Sequence, residues 1–311
     1  MPRAARRRRH RSTTVAVAVA VAVGLSCTLL AGCTTQPARP VPGPPALGLF
    51  VLSQSPRDVL ALARRLDVTV QGITGYTTGT TWKTIGQYRP PRTSLRLFLS
   101  VSMSPDDGIP KQTPQHLAVY RQLAQNLVQG GQPDAVVRIG WEWSASFFSW
   151  GSQNTTPAHY VRAFRDIVTT MRSVPGQHFA FDWCANSGSV PTDGPYAASY
   201  PGDRYVDYVG TDQYDNPGSS WVQSLDATGG LAYTVRFAKA HGKLVSIPEW
   251  GLHDSDDPTF IDLMHSFITN PANDVGYSSY FSAAVAVDSD ITQFPQSEAE
   301  FRDDFGSHGR G

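Results

Sequence analysis

Cysteine is scarce in this 311-residue chain: Cys27, Cys33 and Cys184 are all it has. A disulfide framework and a cysteine-rich zinc site are therefore excluded. Surplus charge of either sign is also missing, because 26 basic and 26 acidic side chains cancel. Six arginines (Arg3, Arg6, Arg7, Arg8, Arg9 and Arg11) stand among the first 32 residues with no acid beside them, which leaves 20 basic against 26 acidic groups in the remainder. A chain that is net negative beyond its leader is not built to hold nucleic acid. Also absent are a Gly-x-Ser-x-Gly nucleophile elbow, a glycine-rich phosphate loop and any internal repeat, which removes the usual serine esterase, nucleotide-binding and solenoid constructions. His253 and His265, with Asp254, Asp256 and Asp257, match no metal-ligand spacing, so a solvated loop, no metal and no cofactor are expected.

What is present is a globular composition, 41% apolar and 11% aromatic, preceded by an export signal. The arginine cluster runs into the uncharged stretch Val15 to Leu30 and then Leu30-Ala31-Gly32-Cys33. Arginines held on the cytoplasmic side, an apolar run and small residues before a cysteine read as a lipoprotein signal peptide over 1–32, with Cys33 taking the lipid. An uncleaved anchor is the alternative, at the lower length limit for spanning, and the double arginines leave Sec or Tat export open. Pro37, Pro40, Pro42, Pro44 and Pro45 make 33–45 an extended tether. The expected location is the outer face of the cell membrane, with membrane contact only through Cys33.

From Ala46 one unit recurs, a β-rich apolar run followed by a helical stretch. The runs are Leu47 to Ser53, Val68 to Tyr76, Leu95 to Met103, Ala135 to Trp143, His178 to Asn186, Val206 to Tyr214, Leu244 to Leu252 and Val275 to Ala284. Eight alternating units over 46–305 predict a single-domain (β/α)8 TIM barrel, expected to be a monomer. The clearest helices are Pro114 to Val128, Pro157 to Val174 and Ser224 to His241, the first two capped by Thr113 and Thr156 ahead of proline. Ile73 to Arg92, rich in Thr, Gly and Pro, predicts a long loop, and 306–311 a frayed tail.

Catalytic groups of such barrels stand at the C-terminal ends of strands. Two glutamates do so here. Alternation along strand four puts Arg138, Gly140 and Glu142 on one face, and along strand seven Val245, Ile247 and Glu249, so both carboxylates are expected at one mouth. Paired carboxylates there are the equipment for glycosidic cleavage. Trp141, Trp143, Trp150, Trp183 and Trp250 are expected around the rim, where indole faces stack on sugar C–H faces. Cys184 is expected as a small buried thiol.

These segments resemble glycoside hydrolase family 26, the β-mannanase-like family of the retaining clan A barrels. The resemblance rests on Arg138-Ile139-Gly140-Trp141-Glu142-Trp143-Ser144-Ala145, on Tyr200 to Tyr214, on Ile247-Pro248-Glu249-Trp250-Gly251, and on Phe179, Asp182, Trp183 and Asn186. It implies that Glu142 is the acid/base and Glu249 the nucleophile, with Arg138 and Tyr214 holding the nucleophile's carboxylate. The substrate it implies is a mannan-like or related β-glycan. Two positions depart from the family: Trp141 stands where its mannanases commonly carry a sugar-contacting histidine, and Ser144-Ala145 replaces Asn-Gly. A glycan-binding lipoprotein without catalysis is the alternative reading.

Overall fold

A computed structural model describes residues 43–77, 81–103, 113–189 and 196–307. The leader, Cys33 and the tether up to residue 42 lie outside them. Residues 39–311 form one compact unit, and its centre is a closed parallel barrel in chain order: β1 (Ala46–Val51), β2 (Gly72–Tyr76), β3 (Arg96–Val101), β4 (Val136–Ile139), β5 (Ala180–Asn186), β6 (Tyr208–Tyr214), β7 (Leu244–Gly251) and β8 (Val275–Ser282), with β8 pairing back to β1. The (β/α)8 expectation holds. Among the described residues eight α-helices surround the barrel: α1 (Pro56–Arg65), α2 (Trp82–Gln87), α3 (Pro114–Gln129), α4 (Pro157–Arg172), α5 (Trp221–Asp226), α6 (Leu231–Ala240), α7 (Pro258–Thr269) and α8 (Pro295–Phe305).

Helix starts follow their caps. The Thr113 and Thr156 side chains accept from His116 N and His159 N, each with proline in the first turn. Three expectations need correction. The segment expected to be a long loop contains α2, whose first turn is capped by Thr81 accepting from Thr84 N. The helix expected over Ser224 to His241 is two helices, because Gly229 adopts φ +71° and its carbonyl accepts from Thr211 Oγ1 at 2.6 Å, which pins the break to β6. At the C-terminus Gly306 and Ser307 are not frayed: Ser307 N donates to Asp67 O at 2.8 Å. Residues 308–311 lie outside the described residues.

Packing divides by strand parity. One set of alternate residues, including Leu49, Leu97, Leu99, Val137, Phe181, Val209, Val245 and Ile247, joins the helices in the main apolar core. The other set fills the barrel. Its floor is Phe98, Val136 and Tyr277 with Ala46, Ala180 and Tyr208 against them. The Phe98 ring is so large that a Cβ on Gly72 would lie 2.2 Å from it and one on Gly48 2.8 Å, so both glycines are required by that close approach. Above the floor the interior is polar. Arg138 Nε donates to Ser100 Oγ at 2.9 Å, Thr74 Oγ1 to Ser279 Oγ at 2.7 Å and Ser246 Oγ to Asp182 Oδ2 at 2.8 Å. Tyr277 also donates to Asp182, and burial pushes that carboxyl up to about 6 against these two donors.

Candidate active site

Glu249 stands at the end of β7, though simple alternation did not aim it there. Val245 and Ile247 face the helices, and Ser246 faces inward. Between Ser246 and Trp250 the register shifts against β6, and between Ile247 and Trp250 against β8. This bulge reverses the parity, so Ser246 and Glu249 share the interior although three residues apart. Glu142 also reaches the mouth by an irregular route. Strand β4 ends at Ile139, and the next turn holds Gly140 at φ +53° and Glu142 at φ +51°. A left-handed glutamate costs on the order of 1 kcal/mol, a strain that concentrates at functional sites. Ser144 anchors the turn to β5: its hydroxyl accepts from Asn186 N at 3.0 Å and donates to Asn186 O at 3.2 Å.

The two carboxylates line one cavity of about 580 Å3 and have opposite settings. Glu249 is ringed by donors. Tyr214 Oη donates to Oε1 at 2.6 Å, Arg138 Nη2 donates to Oε2 at 3.0 Å, and the Tyr76 hydroxyl donates to the same Oε2. Arg138 is itself buried and held by Asp212, at 2.5 Å through Nη1. Burial pushes Asp212 well above the usual carboxylate range, opposed by Arg138 and reinforced by Glu249 and Glu142. Glu142 is also buried, and its side chain accepts from the neutral amide of Asn186. Burial, reinforced by the charge of Glu249 and opposed by Asn186 and Arg138, pushes Glu142 up to about 7. Three carboxylates thus face one guanidinium. Glu249 has a cation and two hydroxyls directed at it, the surroundings of an attacking carboxylate, whereas Glu142 is buried beside a neutral amide, the surroundings of an acid.

The tryptophan expectation requires the largest correction. Trp141 lines the cavity, with its ring 5.6 Å from that of Tyr76. Trp143, Trp150, Trp183 and Trp250 do not. Trp183 and Trp250 lie on the outer faces of β5 and β7; Trp250 stacks on Phe301, and Trp143 stacks on Trp183 at 5.0 Å. Trp150 packs flat on Phe148 at 4.6 Å and donates Nε1–H to Trp141 O at 2.8 Å, supporting the wall from behind. A tryptophan beside an inward residue in a strand has the opposite parity and joins the helix layer. Cys184 is fully buried beneath the site with Sγ 3.3 Å from Asp212 Oδ1, as its small apolar character implied.

Tyr76, Asp212, Phe50 and Phe281 were not singled out as cavity or support residues. Their signal was positional, since each falls on the inward parity at or near the end of its strand. His253, assigned to a solvated loop, lines the cavity with Nδ1 3.1 Å from Asn216 Oδ1. Among the described residues Asp262, Glu300 and Asp304 come together elsewhere, on α7 and α8, as an acidic group.

A closed (β/α)8 barrel with two unlike carboxylates at its C-terminal mouth defines a class, and comparison with known proteins makes it specific. Residues 114–252, which contain both glutamates and the strands between them, match the model of glycosyl hydrolase family 26. That match covers somewhat less than half of the chain. The chain is 30% identical over 118 residues to a mannan endo-1,4-beta-mannosidase of Bifidobacterium adolescentis, 35% of this chain and 11% of that protein. It is 26% identical over 173 residues to endoglucanase H of Acetivibrio thermocellus, 53% of this chain and 19% of that protein. The chain therefore spans a small part of these curated relatives. Among solved structures it resembles a Cellulomonas fimi endo-beta-1,4-mannanase double mutant, with TM-score 0.63, 17% identity and coverage of 85% of this chain and 72% of that one. It also resembles the catalytic domain of a Bacillus sp. JAMB-750 endo-beta-1,4-mannanase, with TM-score 0.55, 18% identity and coverage of 79% and 80%. At such identities these structures establish the fold.

Proposed function

We propose that the protein is a retaining glycoside hydrolase acting on a β-linked, mannan-like or related neutral glycan. The observation that carries this reading is the unequal setting of two carboxylates in one cavity. Glu142, held protonated by burial, gives its proton to the departing glycosidic oxygen while the Glu249 carboxylate attacks the anomeric carbon. Arg138, Tyr76 and Tyr214 keep that carboxylate oriented before attack. Once the leaving group has gone, ionised Glu142 takes a proton from water, which hydrolyses the glycosyl ester and restores both groups. Glu142 supplies the proton that the leaving group takes, Glu249 the nucleophile, and the attacking water the proton that restores Glu142. In the same reading Cys33 carries a lipid, and the domain works outside the cell as a monomer on a tether entering at Ala46.

Azide separates the two roles. With an aryl glycoside whose leaving group needs no acid, Glu142→Ala should still form the glycosyl ester and, with azide, yield a glycosyl azide of retained configuration. Glu249→Ala should yield the inverted azide, entering from the vacated face. Identical products from the two variants would refute the assignment. A wild-type protein that binds β-glycans but releases no reducing ends from mannan, mixed-linkage glucan or xylan would refute the enzyme reading.

A further inference from the structure

Exposed large apolar side chains are few among the described residues: Leu52, Leu60, Phe147, Val222 and Val285. Three of the five stand round the cavity that holds the two glutamates. Leu52 follows β1 and is 65% exposed, Phe147 follows β4 at 67%, and Val285 follows β8 at 65%. Ala286 and Val287 extend the third loop along the same wall, and the stacked rings of Phe50 and Phe281, 4.3 Å apart, lie against it. Three separate loops thus each bring a largely exposed apolar side chain to one mouth.

The polar groups of this cavity are largely occupied with one another. Gln54 Oε1 accepts from Tyr76 N at 2.8 Å, and Asn186 donates to Glu142 while accepting from Ser189 Oγ at 2.8 Å. Asn216 Oδ1 meets His253 Nδ1. No lysine or arginine is among the described lining residues. A further bare sugar placed on the rim would bring hydroxyls that need partners, and leucine and valine offer none. Phe147 belongs to the loop that carries Glu142, the group that protonates the departing oxygen.

Resting on the glycosidase reading, we infer that the substrate carries an uncharged apolar group, alkyl or aryl, on the leaving-group side of the scissile bond, seated on Leu52, Phe147 and Val285. The full-length Glu142→Gln chain, which should hold substrate uncleaved, is titrated calorimetrically with methyl, butyl and octyl β-mannobiosides and β-cellobiosides below their micelle concentrations. Affinity should rise at least tenfold from methyl to octyl in one series, each fully buried methylene contributing up to about fourfold. The triple change Leu52→Ser, Phe147→Ser, Val285→Ser should abolish the rise, whereas Val222→Ser, at an exposed site elsewhere, should keep it. Equal affinities along both series, absence of binding by all six compounds, or a rise that survives the triple change would overturn the inference. Wild-type hydrolysis distinguishes the two readings: cleavage with flat affinities removes only the apolar site, while a steep rise with no cleavage of any glycan removes only the enzyme.

Discussion

The charge state of Glu142 should be measurable as folding stability, independently of any substrate. Its carboxyl is raised from an ordinary value of 4.5 to about 7, chiefly by burial. A raised acid stabilises the fold while protonated: the contribution is complete below about pH 4.5, declines as pH rises and is lost above about pH 7. At 1.36 kcal/mol per unit, wild-type folding should lose about 3 kcal/mol across that window through this one group. Glu142→Gln keeps the shape and the oxygen that accepts from Asn186 but cannot ionise. The stability difference between variant and wild type, from urea unfolding at a series of pH values, should thus be near zero at pH 4 and about 3 kcal/mol in the variant's favour at pH 8. Asp182, raised to about 6, titrates in both proteins and cancels in the difference. The difference should shrink in a Glu249→Gln background, because the charge of Glu249 is the second cause of the shift. Parallel stability curves across the whole range would show that Glu142 ionises freely in the fold and would remove the basis for its role as acid.

Other expectations follow from single contacts. Tyr76→Phe removes one donor from Glu249 Oε2 while Arg138 and Tyr214 remain, so kcat/KM should fall by ten- to a hundredfold, in keeping with about 1.5–3 kcal/mol for a hydrogen bond to a charge; an unchanged value would show that the hydroxyl is idle. Gly72→Ala drives a methyl into the Phe98 ring and should destabilise by about 1–3 kcal/mol, with Phe98→Leu restoring most of the loss in the double variant. Cys33→Ala should abolish incorporation of labelled palmitate in the native host and shift the protein from the membrane fraction; a protein that stays membrane-bound would favour an uncleaved anchor.

The barrel was legible because its signal is redundant. Eight β-rich runs alternating with helical stretches, two of them opened by Thr-Pro caps, constrain one another, so no single boundary had to be right. The pairing of Arg138 with Glu249 was legible only through resemblance to a family, since those residues lie 111 apart in the chain and nothing local joins them. The tryptophans misled because residue type alone suggested sugar stacking, while parity had already assigned Trp183 to the layer opposite Asp182, Cys184 and Asn186. Parity would likewise have marked Phe50, Tyr76 and Phe281 as cavity wall.

The two glutamates themselves are where alternation fails, in both cases for a physical reason. An unbroken β7 with Ser246 inward would send Glu249 into the apolar helix layer, where an unpaired carboxylate costs several kcal/mol. Pro248, which has no N–H to give the ladder, stands inside the interval where register slips against both neighbours. The bulge therefore loses little pairing at the proline and turns the glutamate toward Arg138 and two tyrosine hydroxyls. On β4 the chain leaves the sheet at Ile139, and two left-handed residues carry Glu142 back over the mouth, with Ser144 fastening the turn to Asn186. Neither irregularity has a period, so neither can be read by counting. The regular part of the sequence builds a closed barrel, and two local departures from that regularity aim both carboxylates into one cavity.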